Sequence, residues 1–554
     1  MPARRLPAAS GSEVERARVS FTFDGRRFEG VDGEPVAVSL LAAGRRTLSR
    51  SFRFHRPRGL MCSTGQCGWC ECEVDGRPSV RTCRVPVREG MVVHGEHAWP
   101  SVERDLLRVL DLGSRFVPPT FYHHRFLRPR ALRKWYLDVI RWFGGRGRLE
   151  EGASTDRAPR RVRQDAPDVL VVGGGSGGLS AAIAAAEAGA RAVVLEAEPI
   201  PEAGTGEDDL LALARTRGVE VRVGTVATGW YGGMVTAVDG ETIWEIRPRA
   251  VVAAMGTYEL VPTVRGSDRP GVVGARLAAR LLGEHRVLPG ERAALVGDGA
   301  ELTAVGVALR DAGAAVLGPI PTMALREVGG REAVAWVRYL GDDGTAHRDP
   351  VDVVVFGDRT PNLDLVLAAG GRVGWFDGRF APHVDAEGRT SVAGLFVAVD
   401  AASRDPRTAT DLARRAGRAA AAFAGGQSGA SEQPDGGRPT ETRASRTGDP
   451  ARSTTDGHPP KPGSPHAVLC FCEDVRGWEI QAERAVGYQD PELVKRRTGA
   501  LTGPCQGKYC LSAVTCALSA AGAGATSTGD VLLPTGRPPL RPLRLGDLVV
   551  EDPS

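Results

Sequence analysis

Apolar and polar positions change their spacing several times along the chain. From Val19 to Phe28 they alternate around Asp24-Gly25, the pattern of a two-stranded hairpin, and Pro35 to Arg45 then reads as a short helix. At Asp168 the alternation gives way to a continuous apolar run, Val169 to Val172, which enters a glycine cluster. A helix follows with Leu179, Ala182, Ile183 and Ala186 on one face, and a second apolar run, Ala192 to Leu195, ends on Glu196. Strand, tight turn, helix and strand in that order predict a parallel α/β unit. Gly218 to Val223, Trp244 to Ile246 and Ala250 to Tyr258 supply further strands, and Arg292 to Arg310 repeats the strand, turn and helix. Val353 to Phe356 is another strand of the buried kind. From Gly425 to Pro465 the periodicity stops in favour of Gly, Ser, Thr, Pro and charge, the composition of a flexible linker.

A chain of 554 residues is too long for one core and predicts three or four modules. The pattern divides it into segments 15–98, 99–164, 165–424, 425–465 and 466–554, with an α/β core in the third.

The glycine cluster carries the first candidate chemistry. Gly173, Gly175 and Gly178 stand at G-x-G-x-x-G spacing. Gly173 permits the tight turn, Gly175 lets the backbone approach a pyrophosphate, and Gly178 lets helix and strand pack closely. The helix N-terminus at Ser176 offers unpaired N–H groups to the anion. Glu196, about twenty residues on, is placed to accept from a ribose 2′-hydroxyl. Gly174, Ser176 and Gly178 also satisfy the G-x-S-x-G pattern of hydrolases, but Ser176 has no identifiable Asp and His partners. Glu196 suits the ribose of FAD or of NAD, so these residues leave both open. In the second such motif Gly297 and Gly299 are followed by Leu302 where a small residue belongs, and no acid ends the next strand. That motif reads as packing.

Cysteines carry the second. Cys62, Cys67, Cys70 and Cys83 have the C-x4-C-x2-C…C spacing of a plant-type [2Fe–2S] cluster, in a loop rich in small residues (Ser63, Gly65, Gly68). A structural zinc site is the alternative, although zinc more often takes its ligands as two close pairs. Cys72 reads as a buried small hydrophobe. Near the C-terminus Cys470 and Cys472 form C-x-C, and Cys505 and Cys510 form C-x4-C after Gly503-Pro504. A second [2Fe–2S] cluster is expected there, with zinc as the stronger alternative at this site. Cys516 reads as structural.

A net charge of +4, nearly all arginine with only four lysines, gives no reason to expect nucleic acid or an acidic membrane surface as partner. No apolar run is long enough to span a bilayer, and Met1 to Arg18 lacks the apolar core of a secretory signal. A cytoplasmic location is expected, where the ten cysteines stay reduced and their clustering points to metal ligation. The stretch from Trp99 to Leu149 interleaves aromatic and basic residues; Trp135, Leu137, Ile140 and Trp142 read as packing against another domain or subunit. His94, His97, His123 and His124 show no metal spacing and read as ordinary surface or packing residues.

Trp99-Pro100-Ser101, Phe121 to Phe126, the glycine motif, Val226 to Gly233 and Ser267 to Val273 together resemble the α subunit of heterotetrameric sarcosine oxidase and its relatives, the opine and hydroxyproline dehydrogenases. Gly357 to Asn362 and Gly394 to Ala402 resemble two turns of the two-dinucleotide-domain flavoproteins, and Arg537 to Leu548 again looks like this family. The resemblance implies an α/β, Rossmann-like two-dinucleotide-binding-domain core with FAD. It also implies an N-terminal β-grasp plant-type ferredoxin domain and a small helical C-terminal [2Fe–2S] domain of the bacterioferritin-associated-ferredoxin type. Ala254-Met255-Gly256 takes the place of the usual A-T-G turn, and Asp400 is implied to accept from the ribityl chain, behind Val399 where a glycine is usual. The folate-binding aminotransferase-like domain of sarcosine oxidase α subunits has no counterpart in the sequence.

A flavin takes two electrons together, whereas a [2Fe–2S] cluster takes one at a time. The glycine motif, standing between the two cysteine groups in sequence, therefore reads as the middle station of an electron path. The leading expectation is an α-like subunit of a heteromeric dehydrogenase or oxidase for sarcosine, an opine, hydroxyproline or a related amine. Substrate oxidation is implied on a β subunit with its own flavin. The alternatives are a self-contained NAD(P)H-dependent reductase and a non-enzymatic scaffold holding NAD and zinc.

Overall fold

The computed structural model describes residues 3–7, 17–113, 130–144, 159–199, 207–376, 379–398, 406–426, 464–519 and 533–551. The chain forms two compact units, one from residues 1–153, 259–359 and 461–522, the other from 154–258, 360–460 and 523–554. The two dinucleotide-type folds of 165–424 are thus shared between them.

The first unit begins with a five-stranded sheet in the order Arg26–Val31, Arg18–Phe23, Val92–Gly95, Glu71–Val74, Arg77–Arg81. The expected hairpin is present, with Phe21 opposite Phe28 and a turn whose Asp24 and Gly25 both have positive φ (47° and 75°), as a twist-matched two-residue turn requires. Arg18–Phe23 pairs in parallel with Val92–Gly95, and the helix Val36–Ala42 buries Val36, Ala37, Val38, Leu40 and Leu41. This is a β-grasp, and its core is continuous with that of a second, parallel sheet ordered Val272–Gly274, Val353–Phe356, Arg292–Val296, Ala315–Ile320. The C-terminal module of the unit is small and mostly helical: Gly477–Ala485, Pro491–Thr498 and Leu511–Ser519 follow the short pair Val468–Cys470 and Val475–Arg476. Its middle helix is fixed by Asp490, which accepts from the Glu492 and Leu493 N–H groups, by Pro491 in the first turn, and by Gly499 in the left-handed conformation (φ 75°) after it.

The second unit holds a five-stranded parallel sheet ordered Glu220–Val223, Ala192–Glu196, Val169–Val172, Ala250–Ala253, Leu395–Val397. That is the 3-2-1-4-5 order of a dinucleotide-binding half, in which ligands sit beyond the carboxyl ends of the strands at the switch point. The helices Ser176–Glu187 and Pro406–Ala424 cross closely because Gly417 has no side chain; a Cβ there would lie 2.0 Å from the Ala181 carbonyl oxygen.

The aromatic stretch after Trp99 includes the helix Arg130–Gly144, on which Trp135 is 60% exposed and Leu132 37%. His123, His124, Val399 and Asp400 lie outside the described residues. Among the described residues no helix is long and apolar enough to cross a membrane.

Candidate cofactor sites

In the second unit the strand Val169–Val172 delivers the chain into Gly173, whose φ of 111° excludes most side chains. A Cβ on Gly173 would lie 2.2 Å from the Ala254 carbonyl oxygen, and one on Gly178 only 1.9 Å from the Gly173 carbonyl oxygen. Gly175 is the N-cap of the helix Ser176–Glu187, and Gly175 and Ser176 are exposed, so the helix N-terminus is open to a ligand. The Glu196 carboxylate accepts from the Gly174 N–H at 2.5 Å and from the Glu198 N–H at 2.7 Å. It therefore stands at the loop where a ribose would lie. Gly256 (φ 67°) accepts from the Asn362 N–H at 2.9 Å, and the space beside it is open.

The second glycine motif is filled by its own residues. Leu302 is 2% exposed and packs against Gly357, where a Cβ would be 2.8 Å from the leucine. The Asp358 carboxylate covers Gly297 and accepts from the Thr322 hydroxyl, and Arg359 pairs with Glu301 in the first turn of the helix Ala300–Asp311.

Each cysteine set comes together. In the N-terminal set the thiols neighbour one another as Cys62 with Cys67 and Cys70 with Cys83. In the C-terminal set Cys505 neighbours both Cys472 and Cys510, and Cys510 neighbours Cys470. Among the described residues no three Cys, His, Asp or Glu side chains gather as the ligands of a single ion. The two-and-two arrangement of the N-terminal set suits a pair of irons, each taking two thiolates. Ser63, Gly65 and Gly68 all have positive φ (53°, 72° and 73°), as do Gln506 and Gly507 in the second loop (51° and 87°). Such turns direct successive N–H groups inward toward an anionic group; Trp69 N–H already points at the Cys67 sulfur at 3.5 Å.

The other two cysteines are inert by burial. Cys72, on the strand Glu71–Val74, donates to the Leu48 carbonyl at 3.4 Å, and burial pushes its thiol well up. Burial pushes the Cys516 thiol up to about 12.

Sequence order did not disclose that the two sets meet. The Cys472 sulfur lies 3.9 Å from the Cys67 carbonyl oxygen, although 405 residues separate them. Trp69 and Phe471 stack edge to face at 4.9 Å between ring centroids, and the Tyr509 hydroxyl hydrogen-bonds Cys62. Cys62, Cys67, Trp69, Phe471, Cys505 and Tyr509 belong to one buried apolar cluster.

A seam of buried charge holds the two cysteine loops together. Arg58 donates to Asp268 (3.0 Å), to Asp474 (2.5 Å) and to the Phe471 carbonyl (3.1 Å), and its guanidinium lies over the Trp69 ring at 5.3 Å. Arg53 holds Glu479 through two hydrogen bonds, 2.6 and 3.1 Å, and Arg56 holds Asp268 through two more, 2.6 and 2.8 Å. Burial opposes the charge on Asp268, but Arg56 and Arg58 overcome it and hold the carboxyl far below the usual carboxylate range. The signals available in the sequence were the arginine run Arg50, Arg53, Arg56 and Arg58 just before Cys62, and the acidic pair Glu473-Asp474 just after Cys472.

Comparison with known proteins matches residues 16–98 to the 2Fe-2S iron-sulfur cluster binding domain, 168–202 to the FAD binding domain, and 464–551 to the sarcosine oxidase A3 domain. The chain is 28% identical over 416 residues to the alpha chain of sarcosine oxidase from Rhizobium meliloti, covering 67% of this chain and 41% of that one. It is 26% identical over 465 residues to the A-type subunit of opine oxidase from Agrobacterium tumefaciens, covering 69% of this chain and 91% of the other. This chain thus spans well under half of the sarcosine oxidase relative and most of the opine oxidase one. L-proline dehydrogenase from P. horikoshii superposes with a TM-score of 0.65 at 22% identity, covering 97% of this chain and 98% of that one, which shows the fold. The architecture expected from the sequence, a two-dinucleotide-domain flavoprotein core with a ferredoxin domain ahead of it, is the one found.

Proposed function

We propose that this chain, which resembles the sarcosine oxidase α subunits and their opine oxidase counterparts, is the electron-transferring, FAD-binding subunit of a heteromeric dehydrogenase or oxidase. The substrate class is an N-substituted amino acid such as sarcosine, an opine or hydroxyproline, oxidised on a partner β subunit that carries its own flavin. The assembly works in the cytoplasm. One observation carries the reading: an open pyrophosphate-type loop and two sets of paired cysteines occur in a single chain.

Gly173, Gly175, Gly178 and the N–H groups at Ser176 hold the pyrophosphate, Glu196 accepts from the ribose, and Gly256 leaves room beside the nucleotide. Asp400 is assigned to the ribityl chain by resemblance. FAD is the occupant proposed, with NAD as the alternative the test distinguishes. Cys62, Cys67, Cys70 and Cys83 ligate one [2Fe–2S] cluster, and Cys470, Cys472, Cys505 and Cys510 a second, where zinc is the alternative. A bound flavin supplies two-electron oxidation and the clusters supply one-electron transfer. The chain's own work is to orient these groups and keep water from them, which the burial of Met61, Trp69, Val468, Phe471 and Tyr509 accomplishes at the cysteine sites.

Co-expression with a candidate β subunit tests the assignment. The expected result is a stable complex that is reduced by such an amine, with FAD extracted from the purified α-like chain. Amine oxidation by this chain alone, or extraction of no flavin from it, overturns the reading.

A further inference from the structure

The contact between the cysteine sets has a chemical meaning beyond shared packing. The two cysteine loops are pressed together through backbone, sulfur and aromatic groups, with the Cys472 sulfur 3.9 Å from the Cys67 carbonyl oxygen and Trp69 edge to face with Phe471. Gly68 and Pro504 lie side by side: a Cβ on the glycine would stand 3.4 Å from the proline ring, in van der Waals contact across the two loops. Tyr509, placed between Cys505 and Cys510, turns its backbone toward Cys505 of its own loop and its side chain toward the other set. Its hydroxyl hydrogen-bonds Cys62 of the other set, from a side chain that is 7% exposed.

We propose that the two cysteine sites form one directly coupled pair, in which an electron passes across the Cys67–Cys472 contact, and that Tyr509 is a positioning residue that raises the reduction potential of the N-terminal site. A hydrogen bond donated to a ligating sulfur stabilises the reduced, more negative cluster and makes it the better acceptor. In the step one electron leaves the C-terminal site, whose iron pair is oxidised by one unit, and enters the N-terminal site, whose pair is reduced by one. No proton or ligand moves. The supply is a reduced flavin, and the proposal rests on the function proposed above only for the presence of a cluster at each site.

The test uses the full-length protein as purified and dithionite as the reductant, with no amine and no partner chain, so failure of the amine assignment leaves it intact. Each reduced [2Fe–2S] centre is paramagnetic. At partial reduction the N-terminal centre should give a simple signal, and at full reduction the spectrum should split or broaden and relax faster through coupling of two adjacent spins. Two independent, additive signals at full reduction overturn the pair, as does zinc in place of iron at the C-terminal site. Tyr509→Phe should lower the reduced-to-oxidised ratio of the N-terminal centre about tenfold at a fixed ambient potential, which is about 59 mV for a one-electron couple, and leave the C-terminal centre in place. An unchanged N-terminal potential, or an equal shift of both centres, overturns the role of Tyr509. Should Tyr509→Phe fail to load iron, the spin coupling in the unaltered protein still decides the main proposal.

Discussion

Arg58 and Asp474 meet at 2.5 Å with both side chains buried, the arginine 4% exposed and the aspartate fully enclosed. Removing one member of such a pair leaves the other charge buried without its counterion, a loss of about 3–5 kcal/mol. Arg58→Met should therefore destabilise the protein by about that amount in urea unfolding, and should also expose the C-terminal module to limited proteolysis. The double variant Arg58→Met with Asp474→Asn should lose less than the sum of the two single losses, because their partner is shared. Additive losses would mean that the pair is not coupled.

The glycine loop separates steric from conformational demands. A Cβ at Gly178 would stand 1.9 Å from the Gly173 carbonyl oxygen, whereas one at Gly256 would meet nothing within 4 Å. Gly178→Ala should cost about 1–3 kcal/mol of overpacking and strip most of the bound nucleotide. Gly256→Ala should cost only the left-handed backbone penalty, about 1–2 kcal/mol. Flavin absorbance per chain and thermal unfolding read both variants, and equal flavin loss in the two would contradict this division.

Burial pushes the Glu259 carboxyl up to about 7, against the opposing pull of the Arg276 N–H, which donates to it at 2.9 Å. A carboxyl with a raised folded-state pKa contributes most to stability while it is protonated. That contribution is complete below its unfolded value of about 4.3 and is lost as pH rises through about 7. Glu259→Gln should accordingly flatten the fall in stability between about pH 5 and pH 7. At pH 8 the variant should be the more stable protein, by roughly 2–3 kcal/mol. Urea midpoints at pH 5, 6, 7 and 8 check the sign; a slope unchanged by the substitution removes Glu259 as its source.

Leu302 occupies the position that a nucleotide-binding motif reserves for a small residue. It is 2% exposed, within the core that joins the second parallel sheet to the β-grasp. Leu302→Ala should cost about 2–5 kcal/mol without creating a response to NADH. Bleaching of the flavin by NADH, in either the parent or the variant, would return a working second nucleotide site to the chain.

The sequence made the layered parts legible because their signals are local. The period-2 run from Val19 to Phe28 and the apolar run from Val169 into Gly173 each report on their immediate surroundings. The spacing of Cys62, Cys67, Cys70 and Cys83 likewise reflects one loop. The joining of Arg58 to Asp474, of Arg53 to Glu479 and of Tyr509 to Cys62 was hidden for the opposite reason. A buried ion pair imposes no period on its neighbours, and its members here lie more than 400 residues apart. An arginine-rich run beside one cysteine loop and acids beside the other were visible, but nothing local said that they face each other. Order along the chain was a poor guide to order in space, since Cys67 and Cys472 stand 405 residues apart in sequence and meet in the fold.

The first unit draws its parts from residues 1–153, 259–359 and 461–522, so the chain makes its N-terminal cysteine loop long before the loop that covers it. At a synthesis rate of about 5–20 residues per second, the 405 residues between Cys67 and Cys472 take roughly 20–80 s to emerge. Throughout that interval Arg53 lacks Glu479 and Arg58 lacks Asp474, and the face of Trp69 that Phe471 will cover is bare. The newborn first segment is thus a sticky, positively charged surface with reactive thiols beside it. Whatever loads iron there, or shields it from air, has its opportunity before the last part of the chain closes the site.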